Sequence, residues 1–342
     1  MSLADGMTKR AAGRSKLLEK SHGAAGGTTK PVVSFVMPVF NSEQYIARCL
    51  LSIKNLNFDD LPYEVVIMDN GSTDRTHQIM RDLGFEFNIV PKVNVSALRN
   101  RGAKIARGEY LAFVDSDVEL SSQWLRNGLA VFRQQDVIAS GCFPGVPSGA
   151  TWVQRTWDLH QRGRMRTDAV TPAAWLSSMN LLVRRDAFLT VSGFNEGLTT
   201  AEDVDLSYRL GQRGRILNNP SMQAVHWGEA RDLGHFMRKE IWRGKGNLQG
   251  VLSHGLRLDE LPSLGYPLYM LVMVVLLGAG AVMDLMQHRF FLAPVAVGLL
   301  VSPALLLAVR SGYQAACPQA IPQLSLLYFA YGVARACSLF RP

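Results

Sequence analysis

Cysteine is scarce in this chain and poorly placed for chemistry. Four occur in 342 residues, at Cys49, Cys142, Cys317 and Cys337, with no CxxC pair or other metal-ligand spacing. That excludes a disulfide scaffold and a thiolate metal centre and reads as reduced, structural cysteines. The first 30 residues lack any apolar run long enough for a signal-peptide core and are rich in Gly, Ala, Ser, Thr and basic residues. They read as a disordered basic leader with nothing that argues for export, so the part that follows is expected in the cytoplasm. There is no internal repeat, and no low-complexity tract between residues 32 and 262. The turn after Pro38 to Asn41 has no glycine-rich loop with a basic residue for a triphosphate, which argues against a nucleotidyltransferase. A nucleic-acid recognition motif is missing as well. The net charge of +8 suits nucleic acid, an anionic membrane or a diphosphate equally and does not choose among them.

What is present is unevenly distributed. The chain is 48% hydrophobic, enough for a sizeable core, but residues 264–340 are far more apolar than the rest. Three stretches, 264–286, 290–309 and 321–340, approach the roughly 20 residues that cross a bilayer as a helix. The third carries Pro322 and Arg335, which leaves a tilted span or an interfacial helix open, and a buried helical hairpin is the plain alternative for these stretches. The expected organisation is therefore a leader over 1–30, a catalytic domain over 31–230, a basic juxtamembrane segment over 231–263 and a membrane anchor of two or three helices over 264–342. Basic residues ahead of the first span would be drawn to an anionic inner leaflet and hold the catalytic domain on the cytoplasmic side of the cytoplasmic membrane.

Residues 32–39 form a continuous, β-branched apolar run of the kind buried on both faces of a parallel sheet. Ser42 reads as an N-cap, followed by a helix whose inner face is Ile46, Cys49, Leu50 and Ile53. Strands are expected over 63–68, 87–90 and 109–114, with a helix through Ile79, Met80 and Leu83. Another is expected over 95–106, with Gly108 as its C-terminal cap. Alternating strands and helices predict an open α/β sheet with right-handed crossovers, and such sheets bind ligands outside the carboxyl ends of their strands. Polar clusters sit at those ends.

Asp115-Ser116-Asp117 follows the apolar strand directly, so two carboxylates leave a rigid element at the ligand-binding edge. Hard divalent cations, Mg2+ or Mn2+, take such oxygens and complete their shells with substrate phosphates. Taken alone, the same triplet also reads as a turn with helix-capping aspartates.

Val33 to Asn41, Asp69-Asn70-Gly71-Ser72-Thr73-Asp74, Arg99-Asn100-Arg101-Gly102, Gly108 to Asp117 and Glu202-Asp203-Val204-Asp205-Leu206 stand together in one chain. Their order and spacing resemble the family 2 glycosyltransferases, inverting enzymes of GT-A fold, over roughly residues 32–242. The resemblance implies a GT-A type, mostly parallel nucleotide-binding sheet flanked by helices, here followed by transmembrane helices of a membrane-anchored bacterial type. It implies a nucleotide-diphosphate sugar as donor. Pro38, Phe40, Asn41, Asp69 and Asn70 would bound the nucleoside pocket, and Arg99, Asn100, Asp115 and Ser116 would complete the donor site. Relatives often carry two consecutive acids where this chain has Asp69-Asn70; an amide both donates and accepts, so the base preference stays open.

Asp115 and Asp117 would hold the metal, with His226, in His226-Trp227-Gly228, as a further metal or phosphate residue. Asp203 would be the general base for the acceptor hydroxyl, with Glu202 beside it; helix capping is the plain alternative for this pair. Asn180, Gly193 and Phe194 would face the acceptor. Trp242-Arg243-Gly244 loosely resembles an element that closes over the donor in polymerising relatives, and equally reads as an interfacial anchor. Two or three spans are too few for a polysaccharide channel, so the implied acceptor is a lipid-linked or cell-envelope glycan rather than a growing exported polymer. A basic nucleic-acid-binding protein and a catalytically dead scaffold are the remaining rivals, and neither accounts for the acidic triad Asp115, Asp117 and Asp203.

Overall fold

The computed structural model describes residues 30–57, 61–162, 169–244 and 261–340. All but the last residue of the expected leader, and positions 245–260 of the basic juxtamembrane segment, lie outside the described residues. In chain order the elements are β1 (Val33–Val39), α1 (Ile46–Lys54), β2 (Tyr63–Asp69), α2 (Thr76–Asp82), β3 (Asn88–Ile89), α3 (Val95–Ile105), β4 (Tyr110–Val114) and β5 (Val118–Leu120). There follow α4 (Trp124–Ala130), β6 (Val137–Gly141), α5 (Trp152–Arg162), β7 (Thr171–Pro172), β8 (Asn180–Arg184), α6 (Arg185–Thr190), α7 (Glu202–Gly211), β9 (Arg215–Asn218) and β10 (Ala224–His226). The chain closes with α8 (Leu233–Gly244), α9 (Leu261–Met286), α10 (Leu292–Gln314) and α11 (Ile321–Ser338). These fall into two compact units. Among the described residues, the first comprises those up to Pro144, Thr171–Phe194 and Arg209–Ala224; the second comprises those within Gly145–Val170, Asn195–Tyr208 and those from Val225 on.

The first unit is built on an eight-stranded sheet in the order β3-β2-β1-β4-β8-β6-β9-β7. β1 is parallel to β2 and β4, β2 to β3, and β6 to β9, whereas β8 runs antiparallel to both β4 and β6. All seven residues of β1 are buried, as a strand covered on both faces requires. Tyr110 donates its amide to the Val32 carbonyl, and Asn70 donates to Val39. Even-numbered residues of β1 thus bond toward β4 and odd-numbered ones toward β2, because a residue's N–H and C=O point the same way in a strand. Pro38, which has no N–H, falls on the β4 side, two residues beyond the last β1–β4 pair, Val36 with Phe113. It costs no ladder bond there, and the two strands part at that point.

Three local expectations are corrected. Ser42 is not the side-chain cap of α1, whose N-cap position is Tyr45; its amide instead donates to Thr76 Oγ1 at 2.8 Å. Gly108 is not a left-handed cap: α3 ends at Ala106 in extended conformation. Gly108 lies so close to β1 that a Cβ there would meet the Ser34 amide nitrogen at 2.6 Å, and its own amide donates to Ser34 Oγ. The expected strand over 87–90 is reduced to two residues.

In the second unit α5 and α8 share a core with the C-terminal helices. Val153, Trp157, Ala230 and Phe236 pack with Ala304, Ala308, Leu324, Leu327 and Tyr328. The spans Gly265–Met286 and Leu292–Gln314 are long and apolar enough to cross a membrane. Val275, Leu276, Leu285, Leu305 and Leu306 on them are exposed. Asp284 accepts the amides of Phe291, Leu292 and Ala293, closing the hairpin and capping the start of α10. The third apolar stretch differs: Leu324, Leu327, Tyr328, Ala330 and Ala334 of α11 are buried, and Arg335 is paired with Glu240 of α8.

Candidate active site

At the carboxyl edge of the sheet, the loops after β1, β2 and β4 are stitched to one another. Asn41 stands at φ 45, a left-handed conformation that Asn tolerates better than most residues. Its amide donates to Ser72 Oγ at 2.9 Å, and its side-chain oxygen accepts the Thr73 amide at 2.9 Å. Glu43 donates its amide to Asp74 at 3.1 Å. Ser42 and Ser116 join their hydroxyls at 2.7 Å, which ties the β1 loop to the β4 turn. Phe40 sits at the lip with 57% of its surface exposed, while Pro38 behind it is buried.

Asp69 is fully buried and saturated. One carboxylate oxygen accepts the amides of Gly71 and Ser72 at 2.9 Å each and faces His77 Nε2 at 2.8 Å; the other accepts Ser72 Oγ at 2.5 Å. Burial alone would raise its pKa, but the bonds from Ser72, His77 and Gly71 outweigh it and lower the value. His77, stacked on Phe87 at 4.7 Å, was not singled out by the sequence. Asn70 brackets Val93, donating to its carbonyl at 3.0 Å and accepting its amide at 3.2 Å. Asp69 and Asn70 therefore organise the loops of the expected nucleoside pocket, with their side chains already engaged.

α3 is capped by Asn94, whose side chain accepts the Ala97 amide, and it buries Arg99 against the Asp115-Ser116-Asp117 turn. Arg99, 3% exposed, donates Nη2 to Asp115 Oδ1 at 2.7 Å, and its guanidinium lies 5.4 Å from the Phe194 ring centroid. Asp115 keeps 27% of its side chain exposed. Asp117 is half-buried on the same turn, which the Val118 amide closes onto the Asp115 carbonyl. Beneath it Cys49 donates its thiol to the Asp115 carbonyl, and burial together with the charges of Asp117 and Asp115 pushes that thiol well above its ordinary pKa. Asp115 and Asp117 supply hard oxygen donors fit for Mg2+ or Mn2+. Among the described residues no group of three or more His, Cys, Asp or Glu side chains is arranged to hold a metal.

Asn100 does not reach a ligand surface through its amide. It donates to the Phe194 carbonyl and accepts the Phe194 amide, both at 2.8 Å. Gly193, at φ 67, lets the chain pass Asn100 Oδ1 so closely that a Cβ would collide with it. Phe194 is buried in an aromatic trio with Phe113 and Phe188. Asn180, expected on the acceptor wall, is instead a core residue with no exposed surface. Trp124 Nε1 donates to its oxygen at 2.5 Å, and its NH2 group donates to the carbonyls of Cys142 and Met222. A depression lined by Gln135, Arg184, Asp186 and Arg213 lies elsewhere, since Arg184 pairs with Tyr110 at the amino end of β4.

In the second unit, Glu202 and Asp203 open α7, where acids are favoured by the helix dipole. Asp203 Oδ1 accepts the Val204 amide at 2.9 Å. His226 places Nδ1 3.1 Å from Glu229, and Lys239 and Arg243 stand 3.6 and 3.9 Å from the same carboxylate. Burial would raise the Glu229 pKa, yet the bond from His226 and the neighbouring cations hold it well below the usual range. This ion cluster left no local trace in the sequence.

Residues 34–190 match the family model described as Glycosyl transferase family 2. Glycosyltransferase AglE of Haloferax volcanii is 27% identical over 230 residues, 65% of this chain and 75% of that protein. The Beta-monoglucosyldiacylglycerol synthase of Nostoc sp. is 27% identical over 196 residues, 53% of this chain and 41% of that one. In fold, the chain is similar to the mannosyltransferase PcManGT from Pyrobaculum calidifontis, solved in complex with GDP-Man and Mn2+. The TM-score is 0.64 at 17% identity, covering 99% of this chain and 97% of that one. With the Asp115 turn at the switch point of a mostly parallel sheet and this family match over the same strands, residues 34–190 form a glycosyltransferase family 2 domain, and the fold is GT-A.

Proposed function

We propose that the protein transfers a sugar, with inversion, from a nucleotide-diphosphate donor to a lipid-linked or cell-envelope glycan. In this reading it works at the cytoplasmic face of the membrane, with a catalytic domain over 31–230 and an anchor over 264–342. The observation that supports it best is the Asp115-Ser116-Asp117 turn, two partly exposed carboxylates at the carboxyl edge of β4 with buried Arg99 against one of them. Asp115 and Asp117 would hold a divalent ion, which when bound would offset negative charge on the departing diphosphate. Arg99 adds a fixed cation on the donor side, and the exposed Phe40 ring offers a face for the base. Asn41, Asp69, Asn70, Ser116 and Asn100 hold these groups in place through their loop contacts.

On the acceptor side, Asp203 takes the proton of the attacking hydroxyl, with Glu202 beside it; His226 attends the phosphates or the ion. The Nostoc relative, named for a glucosylated diacylglycerol, supports a lipid acceptor. The exposed apolar flanks of α9 and α10 support a bilayer, since side chains such as Leu285 and Leu306 have no place in water at that density. The test is a screen of UDP-, GDP- and dTDP-sugars with a membrane lipid extract, run with and without chelator. Chelation is expected to abolish transfer and Mg2+ or Mn2+ to restore it, and Asp117→Asn to cost at least roughly 100-fold. Full transfer in chelator would overturn the metal assignment.

A further inference from the structure

The residue just before the acidic pair is strained. Ala201 stands at φ 63, a left-handed conformation that a Cβ-bearing residue adopts only against steric strain. Ala201 also contributes to the first turn of α7, because its carbonyl accepts the Asp205 amide at 3.1 Å. Such a backbone persists where its surroundings hold it, and one tie is visible next to it. Thr200, 5% exposed, donates Oγ1 to the backbone carbonyl of Arg243 at 3.1 Å.

Arg243 is itself held from two sides. Its Nη1 lies 2.7 Å from Glu240 Oε1, and its Nη2 lies 3.9 Å from Glu229. Glu240, 1% exposed, gives its second oxygen to Arg335 of α11, at 2.9 Å from Nη2 and 3.2 Å from Nε. Arg335 in turn lies over the Tyr331 ring at 5.0 Å. The next residue after Arg243, Gly244, is so close to α11 that a Cβ there would strike the Ser338 side chain. A buried carboxylate shared by two arginines is a poor device for stability alone, since well-packed apolar residues serve as well or better. What it does offer is direction: Glu240 holds the Arg243 guanidinium on one side, with Glu229 standing on the other.

We propose that Arg243 is a positioning residue for the acidic pair, acting through Thr200 and the strained Ala201, and that Glu240 and Arg335 set where Arg243 sits. The seating of the C-terminal helix thereby fixes the start of α7. Burial lowers the Arg243 pKa, but the charges of Glu240, Glu229 and, more weakly, Asp203 raise it overall, so the guanidinium stays charged beside the acid it positions. The inference rests on the reading of Asp203 as the base, and it concerns what places that base rather than what it does.

The test uses the full chain in nanodiscs, with Thr200→Val, Arg335→Gln and Arg335→Lys beside Asp203→Asn. Hydrogen exchange over residues 199–206 is followed together with transfer from UDP-glucose and GDP-mannose to a membrane lipid extract. Binding of UDP and GDP with Mn2+ is measured by calorimetry. Thr200→Val and Arg335→Gln are expected to speed exchange over 199–206 about 10-fold while residues 34–57 are unaffected. Transfer should fall by about 10-fold with nucleotide affinity within about twofold. Arg335→Lys should recover most of both. Exchange that is unchanged over 199–206, or raised equally throughout with loss of nucleotide binding, overturns the positioning role. An inactive Asp203→Asn beside unaltered Thr200→Val and Arg335→Gln overturns it while leaving the base assignment standing. Transfer by Asp203→Asn at the parent rate removes both.

Discussion

Arg99 and Asp115 form a 2.7 Å ion pair in which the cation is 3% exposed and the carboxylate 27%. The buried guanidinium is thus oriented by a residue that faces solvent at the edge where β1 and β4 part. Arg99→Met is expected to cost ~1–3 kcal/mol of stability, screened below the full value of a buried pair by the exposure of Asp115. It should also lower transfer by at least about 10-fold. Arg99→Lys keeps the charge but loses the fork and should recover stability better than transfer. Urea unfolding beside a transfer assay separates the two; an Arg99→Met protein with parent-level transfer would remove Arg99 from the donor site.

Asp69 predicts acid sensitivity of the donor loops. Its folded-state pKa is lowered from the ordinary 3.8. Its contribution is therefore fully present above that unfolded value and is lost as pH falls through the folded one. Asp69→Asn should cost about 2 kcal/mol near neutrality and flatten the acid limb of the stability curve. An unchanged acid limb by calorimetry would show that the loop does not depend on this carboxylate.

Asn180 separates packing from recognition. Asn180→Ala leaves the Trp124 indole N–H without its acceptor and opens space in the core, an expected loss of about 2–4 kcal/mol. The acceptor KM of the folded fraction should stay within about twofold of the parent. A KM rising tenfold at unchanged stability would restore Asn180 to the acceptor wall.

The C-terminal helices predict a failed truncation. Ending the chain before Leu261 removes Ala304, Leu324, Leu327 and Tyr328 from around Trp157 and Phe236. The shortened protein should bind a hydrophobic dye and aggregate, because two large aromatics lose their cover. A monodisperse truncated protein with parent-like near-ultraviolet dichroism would show that the second unit holds together without them.

Much of the molecule was legible along the chain. The apolar run of β1, the turn residues after β2 and the carboxylates after β4 are local patterns: burial on both faces demands β-branched residues, and tight turns demand Asn, Asp, Gly and Ser. The Asp-x-Asp turn, the acidic start of α7 and two apolar spans follow from residues adjacent in sequence. Such signals need no knowledge of distant partners.

Only the tertiary structure decided which polar side chains are spent on the fold. Asn100 and Phe194 meet across 94 residues, Ser42 and Ser116 across 74, and Glu240 and Arg335 across 95. Residue type shows that each can form such bonds, but a hydrogen bond requires a partner within about 3 Å, and packing alone sets that distance. The same limit applied to α11, whose composition left a span or an interfacial helix open. The buried partner of Arg335 lies on another helix, and the cost of an unpaired buried charge ties the two together.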